Sequence, residues 1–169
     1  VTVRVTDVDH GYDALVRDMR KLRASRVLVG ILQDKGGEMD DEGGITLVGY
    51  ASVNEFGSED GRVPERSFLR STVDRNKNEY ADEIKVVLGS SVDRVIKGSQ
   101  GGMLKEIERG LGRLGLRAVR DVKDTIRDLR DPPNAPSTLE RKYPGENPLI
   151  ETGRMRQSID HKVEMSVRR

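Results

Sequence analysis

The chain has 169 residues, 34% of them hydrophobic, 4% aromatic and 35% charged, and no cysteine, which suits one domain with a modest core and excludes disulfides and thiolate metal ligands. Lys and Arg number 30 against 29 for Asp and Glu, so there is no global field of the kind a dedicated nucleic-acid binder carries. No apolar run approaches membrane-spanning length and no secretory leader pattern is seen, so the expectation is a soluble, unexported protein made in a reducing cytoplasm.

Val1, Val3 and Val5 alternate with Thr2, Arg4 and Thr6, predicting a first strand over about 1–6. From Tyr12 the period changes. Tyr12, Leu15, Val16, Met19 and Leu22 share one helical face, with Asp9 as its N-cap. Residues 26–33 are a β-branched run and predict a more central strand. Asp34 to Gly44 is rich in glycine and acids and reads as a loop or hairpin tip. Ile45 to Phe56 fits both helix and the start of a strand; helix is favoured, closed by Gly57.

A second long helical region is expected over about 67–97, broken near Asn76 or Gly89. The turn composition of Gly98 to Gly102 lets it fold back as an antiparallel hairpin on the strongest periodic stretch in the chain, 102–130. There Leu104, Ile107, Leu111, Leu114, Ala118, Val122, Ile126 and Leu129 recur at steps of three and four. Gly110, Gly112 and Gly115 each cost up to about 1 kcal/mol of helix propensity, which implies close packing there or a kink. Asp131 to Pro148 holds five of the six prolines and is expected to be an extended irregular arm, reaching to about residue 150. Ile159, His161, Val163, Met165 and Val167 alternate as a closing strand over 158–167. The expected fold is α+β, a small, mainly antiparallel sheet packed against long helices, in a single domain over 1–169.

Candidate chemistry is sparse. His10 and His161 are far apart, and neither brings a nucleophile or metal cluster with it, so no catalytic residue, metal or cofactor is expected. Asp34, Glu38, Asp40, Asp41 and Glu42 lack the spacing of a calcium loop and read as a solvated acidic stretch. Arg109, Arg113, Arg117 and Arg120 form a basic ridge. A mixed-charge surface, intersubunit salt bridges and phosphate contact are all open for it, in that order.

Four local patterns carry more. They are Asn54-Glu55-Phe56-Gly57, then Pro64-Glu65-Arg66-Ser67-Phe68-Leu69, then Pro132-Pro133-Asn134-Ala135-Pro136-Ser137-Thr138-Leu139, and last Pro148 through Ile159 with Leu149-Ile150-Glu151-Thr152-Gly153 near its start. Together, over about residues 45–165, they resemble the neck and tail-completion proteins of long-tailed bacteriophages, also known as virion morphogenesis or head-tail joining proteins. The chain departs from the family pattern at Glu65, Ser67, Asn134, Ala135, Glu151 and Met155. The resemblance implies a structural virion protein, not an enzyme. It would assemble in the host cytoplasm as a homo-oligomeric ring of six or twelve copies, completing the head-proximal end of the tail. Its partners would be the tail tube or terminator protein and the head connector or adaptor proteins, with DNA only passing through and no membrane contact. Phe56, Gly57, Arg66, Phe68, Leu69, Pro132, Pro133, Pro136, Pro148, Leu149, Ile150 and Gly153 are then the candidate subunit-interface residues. Two alternatives stand beside it: a nucleic-acid-binding module using the arginine ridge, and a hydrolase or metal-dependent enzyme hidden in the acidic stretch.

Overall fold

A computed structural model describes residues 12–23, 25–32, 35, 37–39, 44–97, 102–142 and 144–166. Among them the elements are α1 (Tyr12–Leu22), β1 (Arg26–Ile31), α2 (Leu47–Phe56), α3 (Arg70–Ile96), α4 (Met103–Asp128), α5 (Pro136–Lys142), α6 (Arg154–Ser158) and β2 (Ile159–Glu164). The fold is α+β, long helices on a small antiparallel sheet. In that sheet β1 pairs with β2 from Arg26 opposite Glu164 to Ile31 opposite Ile159. The strand expected over 1–6, the N-cap Asp9, His10 and most of the acidic stretch lie outside the described residues.

Helix α4 is the middle layer. Its stripe Ile107, Leu111, Leu114, Ala118, Val122 and Ile126 is buried, and it packs on α3 along one side and on the sheet along another. Each large side chain in that stripe contributes roughly 1.5–3 kcal/mol by leaving water. Helices α3 and α4 run antiparallel. Thr72 lies beside Thr125, their hydroxyls 2.6 Å apart, and Tyr80 donates to Asp121 at 2.9 Å. At the far end Arg94 meets Glu106 at 2.9 Å. Burial, reinforced by the Asp121 bond, raises the Tyr80 phenol above its ordinary range.

The interruption expected near Asn76 or Gly89 does not occur. Asn76 turns its amide back onto Thr72 O at 2.8 Å, and the space where a Gly89 Cβ would sit is open, so neither residue forces the helix apart. The segment 131–150 is likewise not irregular throughout. Pro136 starts α5, a position where its missing N–H costs nothing, and Thr138 and Leu139 donate to Ala135 O.

Two of the three glycines in α4 are sites of close approach. A Cβ on Gly110 would lie 2.4 Å from Val87 Cγ1, and one on Gly115 would lie 2.2 Å from His161 Cδ2, whereas Gly112 has nothing within 4 Å. Gly115 therefore sets the separation of α4 from β2. Gly115→Ala is expected to destabilise the chain by a net ~1–2 kcal/mol, overpacking outweighing the ~1 kcal/mol that alanine adds to helix propensity. In urea denaturation the added His161→Ala exchange should relieve most of the loss. Equal loss with and without His161 would place the conflict elsewhere.

Candidate functional site

Helix α2 opens at Thr46, whose hydroxyl accepts from Gly49 N at 3.1 Å, and closes at Gly57, with φ +79°. A side chain at 57 would be strained by that angle and would press on Glu65 N and Val63 O, each 3.2 Å from a Cβ. Glycine here lets the chain double back at once. Ser58 N bonds Val63 O and Arg66 N bonds Asn54 O, so residues 64–69 lie against the end of α2. In this turn the Ser58 hydroxyl bond holds Asp60 below the usual carboxylate range.

The doubling back puts Glu55 under the first turn of α3. It is 5% exposed. One oxygen accepts from Phe68 N at 2.8 Å and Leu69 N at 2.9 Å, the other from Arg70 N at 2.9 Å and Ser67 Oγ at 2.8 Å. Those backbone groups are orphan donors of the helix start, and the carboxylate also faces the positive end of the helix dipole. A side chain from another element thus caps α3.

Arg66 points the other way and is also 5% exposed. Its Nε donates to Pro132 O and its Nη2 to Pro133 O, both at 2.8 Å, so one planar guanidinium holds two consecutive carbonyls. Burial pulls this guanidinium below its ordinary pKa. Asn147 fixes the other end of the segment: Nδ2 donates to Ile126 O at 3.0 Å and Arg127 O at 2.8 Å, and Oδ1 accepts from Leu149 N at 2.8 Å. The last carbonyls of α4 are thereby satisfied and Leu149 enters the core, packed with Phe68, Val122, Ile126, Met155 and Ile159.

The four motifs, scattered over a hundred residues of sequence, therefore close on one another in a single knot at one end of the α3–α4 pair. Of the candidate interface residues, Arg66, Phe68, Pro148 and Leu149 are buried in their own subunit, and Gly57, Leu69, Pro132, Ile150 and Gly153 are half-buried. Pro133 and Pro136 are exposed. Phe56 is 66% exposed and borders an apolar cavity of about 310 Å³ walled by Ile31, Val48, Ala51, Phe68 and Leu69. Periodicity and composition give Glu55 and Asn147, which do the tying, no such role; the hints of the first are its place in the Asn54–Gly57 motif and shortly before a Pro-containing turn into a helix.

The arginine ridge divides. Arg117 turns inward across α3, bonding Glu79, with Glu83 at 3.3 Å and Asp121 at 3.8 Å, and its guanidinium lies 5.8 Å from the Tyr80 ring centroid. It is therefore no part of an outward ridge. Arg109, Arg113 and Arg120 are exposed, Arg120 standing 3.8 Å from Asp121. Among the described residues no group of three or more His, Asp or Glu side chains is placed to hold a metal, and no helix is long and apolar enough to cross a membrane. Comparison with protein-family models, with curated proteins and with solved structures finds no match.

Proposed function

We propose that the chain is a structural subunit of the neck of a long-tailed phage, one that assembles as a ring at the head-proximal end of the tail, joins it to the head connector and leaves a channel for DNA. The reading rests on the resemblance, and one observation supports it. Residues that carry the resemblance meet one another: Glu55 holds the 67–70 turn, Arg66 holds the 132–133 carbonyls, and Leu149 and Ile159 share a core with Phe68. The work of such a subunit is geometric: matched surfaces and a fixed lumen, with no bond chemistry.

The knot spends most motif residues on the subunit's own fold and leaves Phe56 for a neighbour. An exposed aromatic beside a sharp glycine turn loses little entropy on docking. The test is the solution mass of the protein, alone and with isolated tails, followed by electron microscopy. Rings, or capping of one tail end, are expected; a monomer indifferent to tails would overturn the reading. Phe56→Ser should weaken self-association about thirtyfold, or ~2 kcal/mol, while leaving the unfolding midpoint of the isolated subunit in place.

A further inference from the structure

The outward face of α4 carries one sign of charge. At about 100° per residue, Lys105, Arg109, Arg113, Arg120, Lys123 and Arg127 all fall within about 60° of Leu116, the residue at the middle of the face. Leu116 is 61% exposed, so this side of the helix is turned away from both α3 and the sheet. The nearest acids on α4, Glu106, Glu108 and Asp124, stand about 80° to either side, and Glu106 is paired with Arg94 at 2.9 Å. Arg127 is matched by Asp124 at 2.7 Å and Asp128 at 2.8 Å. Lys105, Arg109, Arg113 and Lys123 meet no carboxylate among the described residues. Beside Lys105 and Arg109 lies a polar cleft of about 180 Å³ that Arg94 also lines.

The chain as a whole is almost neutral, so a face with four uncompensated cations is a local excess that the fold has gathered. It is also long. From Lys105 to Arg127 it spans roughly 33 Å at 1.5 Å per residue, close to the roughly 34–36 Å of one turn of duplex DNA. Leu116 and the open position at Gly112 leave the centre of the face low enough for a backbone to approach. We infer that this face is a contact surface for the phosphate backbone of duplex DNA, held by Lys105, Arg109, Arg113 and Lys123 without base readout. Placing the face on the wall of a channel rests on the ring reading; the phosphate contact itself does not.

Counterion release makes the inference measurable. Four phosphate contacts at roughly 0.9 each predict a slope of about −3.6 for log Kobs against log salt. The affinity of the full chain for a 30-base-pair duplex, read by fluorescence anisotropy, should therefore fall about a hundredfold between 50 and 200 mM salt. The exposed triple exchange Lys105→Ala, Arg109→Ala, Arg113→Ala should flatten the slope by about 2.7. Arg117→Gln, whose parent side chain faces α3, should leave the slope unchanged. No retention on duplex at 50 mM salt, or an unchanged slope in the triple variant, would overturn the inference. So would tighter binding to poly-glutamate than to the duplex, which would mark the face as a dock for an acidic protein. Solution mass keeps the two proposals apart: rings that do not bind the duplex sink this one alone, and duplex binding without rings sinks only the ring.

Discussion

Replacing Glu55 with alanine should destabilise the chain by about 4 kcal/mol or more, a loss large against the roughly 5–15 kcal/mol by which domains of this size are held folded. Four donors converge on its carboxylate, three of them backbone N–H groups at the start of α3. A hydrogen bond to a charged group contributes about 1.5–3 kcal/mol, and a buried donor left without an acceptor costs about 1–3. The sum is not additive, since all four bonds share one carboxylate and are lost together. Glu55→Gln keeps one acceptor oxygen but aims an amide N–H₂ at the remaining donors and removes the charge facing the helix dipole. It should lose about 2 kcal/mol. Urea denaturation gives both values, and hydrogen exchange locates them. Amides of Phe68, Leu69 and Arg70 should exchange faster in the alanine variant while those of α4 around Val122 change only with global stability. An alanine variant within ~1 kcal/mol of the parent would mean that water caps α3 as well as Glu55 does.

That carboxylate also shows where sequence reasoning stops. Periodicity is a local property, so it locates α1, α2, α3, α4 and both described strands to within a few residues. It also singles out the stripe from Ile107 to Ile126 that the core is built on. Glu55 sits on that logic's blind side. It lies on the inward face of α2, and nothing in the spacing of α2 says that the inward neighbour is a helix start rich in N–H donors instead of apolar surface. The 131–150 segment escapes it for a related reason. Its prolines read as breakers, although a proline followed by Ser137, Thr138 and Leu139 is equally the opening of a helix. A spacing of four groups Arg117 with Arg109 and Arg113. Only the arrangement of Glu79 and Glu83 on the neighbouring helix decides that it turns inward. Gly110 and Gly115 can be suspected of close approach from their cost alone, but which partner comes close, Val87 or His161, is a tertiary fact.

Removal of the Arg66 guanidinium should have the second largest effect, and a different one. Arg66→Ala takes both side-chain donors from the carbonyls of Pro132 and Pro133, and is expected to cost about 3 kcal/mol. Arg66→Lys should still lose about 2 kcal/mol, because one ammonium cannot reproduce two parallel N–H bonds on a rigid plane. The Glu55 variants loosen α3; these loosen the 131–148 segment, whose other anchor is Asn147 at the end of α4. Limited proteolysis separates the cases. In the Arg66 variants cleavage should concentrate between Asp131 and Asn147, well before global unfolding, while α3 and α4 stay protected. Cleavage spread evenly over the chain would instead mean that the segment has no stability of its own and that Arg66 acts only through the common core. If the segment alone comes loose, its exposed residues Pro133 and Pro136 become the ones to exchange next in assembly experiments. The Arg66 variants would then show whether a neighbouring subunit needs this segment held in place or only present.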